Sequence, residues 1–80
     1  MIKRYPQGQM NMLKTIGRNV RYYRLLNDLT QERLAHLSGI NVRHLQKIEA
    51  GEVNLTIRTI HRLCEALGIQ PGSLFSNLGG

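Results

Sequence analysis

Cysteine occurs once in these 80 residues, at Cys64. That excludes an intramolecular disulfide and fits a reducing compartment, so a cytoplasmic, nucleoid-associated location is expected. Acidic residues are also scarce, with only 5 Asp and Glu. With no nucleophile set beside a base and no glycine-rich phosphate loop, an enzyme is not expected. The 3 histidines, His36, His44 and His61, are scattered, and His61 with Cys64 makes only one i, i+3 pair. Structural zinc takes about four ligands, so neither a metal nor a cofactor is expected. Tryptophan is absent and the aromatics are Tyr5, Tyr22, Tyr23 and Phe75, which leaves no stacking platform for single-stranded RNA. Apolar runs end after about two or three residues, far short of a membrane span or the apolar stretch of a signal peptide.

Positive charge is what the chain has in excess: 11 Lys and Arg give a formal net charge of +6. Much of it falls early, in Lys3, Arg4, Lys14, Arg18, Arg21 and Arg24 against Asp28. Such a field attracts polyanions, either nucleic acid or an acidic membrane surface. The size allows one domain, and a chain so short buries only about 60% of its unfolded surface, so a deep catalytic cavity is not expected. Cys64 reads as a small core residue rather than a nucleophile, because it falls on an apolar stripe.

Periodicity divides the chain into a flexible basic arm over 1–11, a folded domain over 12–75 and a frayed tail over 76–80. From Met12 the spacing becomes helical, with Ile16, Val20 and Tyr23 at i, i+4 and i+7. Asn27 and Asp28 close that helix, since both residue types tolerate the left-handed conformation. Thr30 is placed to cap a second helix carrying Glu32 in its first turn and Leu34 and Ala35 inward. Gly39 stops it. Asn41 caps a third helix with Leu45 and Ile48 as its inward pair, and Gly51 ends it. Thr56 caps a fourth, whose stripe is Ile57, Ile60, Leu63, Cys64 and Leu67 before Gly68. Pro71 suits the first turn of a last short helix with Leu74 and Phe75. The expectation is all-α with five helices. A membrane-surface role for the basic first helix is disfavoured, because its apolar stripe is needed for the core.

The second and third helices, joined across Gly39 to Asn41, make a unit that can place a helix in the major groove of DNA, although any small helical bundle can contain such a hairpin. Opposite Leu45 and Ile48 the third helix presents Val42, Arg43, Gln46 and Lys47, which read either as a solvated face or as a base-reading one. Arginine matches guanine O6 and N7, valine a thymine methyl, and Asn or Gln an adenine edge.

The stretch Ile16 to Phe75, about three quarters of the chain, resembles the Cro/repressor-type (XRE) helix-turn-helix family. The resemblance is carried by Leu29-Thr30-Gln31-Glu32, Leu34-Ala35, Gly39-Ile40 and Ile48-Glu49-Ala50-Gly51. It implies a compact, lambda-repressor-like domain that binds a near-palindromic double-stranded DNA operator as a homodimer and regulates transcription. It also implies base contacts from Asn41, Val42, Arg43 and Lys47, with His44 and Gln46 flanking them. Phosphate contacts fall to Gln31 and Asn54, the latter equally readable as a simple turn residue. Arg24 takes an ion pair with Glu49, a phosphate contact, or both. A stand-alone regulator of this design fits a phage, a toxin-antitoxin pair or a restriction-modification operon, whose controller proteins it also resembles. Departures from the pattern are Leu55 where proline is common, Asp28 where glycine is frequent, and Leu25 and Leu26 at positions that are often polar.

Three further expectations complete the reading. Lys3 and Arg4 reach phosphates or the minor groove from the arm, or do nothing there. Leu74, Phe75 and Leu78 form the dimer contact. The rival function is a protein-interaction module, an antitoxin or accessory subunit, that uses Leu25, Leu26, Leu74, Phe75 and Leu78 to hold another protein. Neither a membrane nor a small-molecule ligand is expected as a partner.

Overall fold

In the computed structural model, residues 7–76 are described, with side chains from residue 12 onward. Lys3, Arg4 and Leu78 therefore lie outside the described residues. The helices are α1 (Gln7–Leu26), α2 (Gln31–Ser38), α3 (Val42–Glu49), α4 (Ile57–Leu67) and α5 (Gly72–Phe75), with no strand among the described residues. The fold is all-α. None of these helices is long and apolar enough to cross a membrane.

Local chemistry sets the helix ends. Thr30, Asn41 and Thr56 are extended and accept from the backbone N–H groups of Arg33, Arg43 and Thr59, which satisfies one orphan donor in each first turn. At the other end Gly39 and Gly68 sit at φ 69° and 70°, where a side chain would be strained. Asp28 takes the same left-handed region at φ 56° without being glycine. The turn between α2 and α3 is thus Gly39 to Asn41, as the spacing predicts.

One cluster forms the core. Ile16 and Val20 of α1 meet Leu34 and Ala35 of α2, Leu45 and Ile48 of α3, Ile60, Leu63, Cys64 and Leu67 of α4, and Leu74 of α5. α1 packs on α3 and α5, and α2 on α4 and α3. Leu55, apolar where the resembled family favours proline, is covered against this cluster. Burial in it pushes the Cys64 thiol above its ordinary pKa, because the thiolate would lose its hydration there.

Three expectations need correction. α1 begins at Gln7, not Met12, since glutamine and methionine propagate a helix well. Ile57 is 79% exposed, so the expected stripe of α4 is buried at Ile60, Leu63, Cys64 and Leu67 but not at its first residue. Leu74 is fully buried and belongs to the core of a single chain, so it is not available as a dimer contact. Phe75 beside it remains exposed.

Candidate nucleic-acid interface

α3 is a short helix with two unlike faces. Leu45 and Ile48 are buried, while Arg43, Gln46 and Lys47 are exposed, three and four residues apart and therefore neighbours on the outward side. Val42 is half-buried and packs on the rim of the core, and His44 is half-buried as well. Asn41 spends its side-chain oxygen on the cap, 2.7 Å from the Arg43 N–H. Of the six residues read as base-facing, three therefore project fully, two partly, and Asn41 is held at the helix entrance. Asn54 is exposed in the loop that follows.

Behind α3 lies a buried ion pair. Arg24 Nε donates to Glu49 Oε2 at 2.7 Å and Arg24 Nη2 to Oε1 at 3.1 Å, while Nη1 donates to the Leu29 carbonyl at 2.9 Å. The two side chains are 9% and 4% exposed. The bidentate geometry is the strong form of this contact, and it ties α1 to α3 and to the loop before α2. It also decides between the two roles open to Arg24. Every nitrogen of the guanidinium is engaged and little of it reaches solvent, so Arg24 is structural and its expected phosphate contact is withdrawn.

Gln31, at the first position of α2, does not stand free at the surface. Its Nε2 donates to Glu49 Oε1 at 3.1 Å, and its Oε1 accepts from Gln46 Nε2 at 3.4 Å. Its backbone stays at the start of α2, where helix N–H groups favour an anion.

Two small contacts set the pose of α3 on α1 and were not anticipated from sequence. Gly17 lies against the C-terminal end of α3 so closely that a Cβ there would sit 2.3 Å from the Ile48 carbonyl oxygen. Gly51 meets α1 in the same way, with a Cβ position 2.9 Å from Lys14 Cα. Lys14 Nζ donates to the Ala50 carbonyl at 3.3 Å, placing a cation at the negative end of the α3 dipole. Asn19, a third omission, is buried and donates to the Leu74 and Ser76 carbonyls at 2.9 and 2.6 Å, which fastens α5 to α1. A glycine inside a helical run, and a polar residue between Ile16 and Val20, were the available signals.

Exposed apolar side chains lie elsewhere. Leu25 and Leu26, at the end of α1, are both exposed, as are Tyr22, Leu37 and Phe75. No three His, Cys, Asp or Glu side chains cluster among the described residues.

Comparison with known proteins follows the same lines. The sequence pattern of the helix-turn-helix family HTH_3 matches residues 20–74. The control protein C.SmaI of Serratia marcescens is 34% identical over 70 residues, spanning 88% of this chain and 83% of that protein. An uncharacterized HTH-type transcriptional regulator, y4dJ, of Sinorhizobium fredii is 37% identical over 60 residues, 75% of this chain and 78% of its own. The crystal structure of the restriction-modification controller protein C.AhdI from Aeromonas hydrophila superposes with a TM-score of 0.77 at 36% identity, covering 79% of this chain and 96% of that one.

Proposed function

This chain belongs to the helix-turn-helix family HTH_3, and we propose on that premise that it regulates transcription from a near-palindromic DNA operator read by a homodimer. The observation that carries the reading is the outward face of α3. Arg43, Gln46 and Lys47 stand exposed on a helix whose other side is locked by Leu45 and Ile48, while the N-terminus of α2 opens beside it. A rigid short helix with donors at its surface suits direct readout in the major groove. Arg43 takes a guanine through O6 and N7, Lys47 and Gln46 the neighbouring positions, and Val42 a thymine methyl at the rim. The α2 backbone N–H groups and Asn54 hold phosphates, and the excess positive charge supplies a salt-dependent share of the affinity. Control protein C.SmaI and the controller C.AhdI favour the control of a restriction-modification operon over other settings. Two copies would set their α3 helices about 34 Å apart, one turn of DNA. With Leu74 committed to the core, the dimer contact is centred on Phe75. The chain is not an enzyme in this reading.

The test is selection of bound duplexes from a random pool at one salt concentration, for the wild type and for Arg43→Ala. Wild-type enrichment of a two-fold related site, with loss of preference at one base pair per half-site in the variant, is the expected result. Enrichment of nothing above salt-sensitive background ends the operator reading and turns attention to a protein partner for Leu25 and Leu26.

A further inference from the structure

Hydrogen-bond polarity passes outward from the buried ion pair to the surface of α3. An ionised carboxylate only accepts. Glu49 Oε1 takes bonds from Arg24 Nη2 and from Gln31 Nε2, each at 3.1 Å. Gln31 is therefore obliged to turn its NH2 group inward, because its carbonyl oxygen in that place would oppose a second acceptor. Its Oε1 is left facing the outer side, where the exposed Gln46 donates through Nε2 at 3.4 Å. The same logic then applies to Gln46. Rotating its amide by half a turn would set its oxygen against that of Gln31, so the oxygen is the end left to face away from α2.

We propose that Gln46 is a specificity-determining residue whose amide is oriented by Glu49 through Gln31, so that it presents an acceptor to the groove and selects against guanine. This rests on the reading of α3 as the base-reading helix. In the major groove guanine shows only the acceptors N7 and O6, whereas adenine and cytosine offer an amino group. An unrestrained glutamine can turn its amide to suit any of these edges. Held by Gln31, Gln46 keeps its oxygen toward the groove with one N–H left over, so it meets adenine through both groups but guanine through that single N–H only, with its oxygen facing an acceptor. Gln31 is thus a positioning residue, and its side chain works on base choice rather than on a phosphate. Sequence spacing gives no hint of this, because residues 31, 46 and 49 come from two different helices.

Two measurements test the relay and separate its failure from that of the operator reading. The first uses the free chain. Amide proton exchange of the Gln46 side chain, followed by NMR, is expected to be slower than that of the exposed Gln70 in the wild type and equal to it in Gln31→Met. Equal rates in the wild type overturn the relay whatever DNA does. The second is the duplex selection, run on wild type, Gln31→Met and Gln46→Ala. The wild type should disfavour guanine at the base pair facing Gln46 by about fivefold, the worth of about one hydrogen bond. In Gln31→Met guanine should become acceptable there while the base pair read by Arg43 keeps its preference, and in Gln46→Ala all preference at that pair should vanish. A merely structural Gln31 would weaken every site alike, so an unchanged base profile in Gln31→Met overturns the proposal. Slow Gln46 exchange with no enriched site in the wild type would instead fail the operator reading, and the role in specificity with it.

Discussion

Gly17→Ala sets local and tertiary physics against each other, and the structure predicts which prevails. In an exposed helix interior the change stabilises by about 0.8–1 kcal/mol, because alanine restricts the unfolded chain and glycine does not. At this position the new Cβ would lie 2.3 Å from the Ile48 carbonyl oxygen, 2.8 Å from that of Glu49 and 3.0 Å from the Glu49 carbonyl carbon. Comfortable heavy-atom separations are roughly 3.5 Å, so α1 and the end of α3 must part by about 1 Å. The obstructing atoms are backbone, and no side-chain rotation relieves them. Overpacking in a tight site destabilises by about 1–3 kcal/mol, and a backbone contact belongs at the upper end. Subtracting the helix gain leaves a net loss of about 2 kcal/mol. For a domain of this size that lowers the thermal midpoint by about 8–16 °C. Thermal and urea denaturation followed by helical circular dichroism would measure it. Gly72→Ala is the control, since nothing lies within 4 Å of its Cβ position. A Gly17→Ala chain as stable as the wild type, or more so, would refute the claim that this glycine sets the separation of α1 and α3.

Glu49→Ala leaves the Arg24 guanidinium almost buried and without its carboxylate, and is expected to destabilise by about 3–5 kcal/mol in urea titrations. The paired change Arg24→Met with Glu49→Leu should recover most of that loss, and a double variant no better than the single one would remove the argument. Cys64 gives a pH dependence. Its folded pKa is raised by burial, so folding favours the protonated thiol. The associated stability is complete below the unfolded thiol value of about 8.5 and is lost as pH rises through the folded one. Relative to Cys64→Ala, the wild-type urea midpoint should hold steady through neutral pH and decline in the alkaline range, and a constant difference would contradict the burial effect.

Much of the domain was legible because helix ends are local events. Thr30, Asn41 and Thr56 bond to N–H groups two or three residues away, and Gly39 and Gly68 supply left-handed closures, so each signal and its consequence share one short window. The inward pair Leu45 and Ile48 and the outward Arg43, Gln46 and Lys47 follow from the helical repeat alone. The start of α1 was missed for the converse reason: no Ser, Thr, Asp or Asn stands just before Gln7 to mark a cap, and the apolar repeat legible in the sequence starts only further on.

What the amino-acid order determined by itself was the helices, their caps and the polarity of the α3 surface, all set by neighbours along the chain. Tertiary structure alone decided that Leu74 faces inward while Phe75 does not, that Ile57 is exposed, and that Arg24 adds the Leu29 carbonyl to the Glu49 pairing the resemblance implied. It also decided that Gln31 hands its hydrogen-bond polarity to Gln46 and that Gly17 sets the approach of α1 to α3. Each of these depends on atoms brought together from distant positions in the chain, where the spacing between helix axes and the direction of a donor, rather than residue type, fix the outcome.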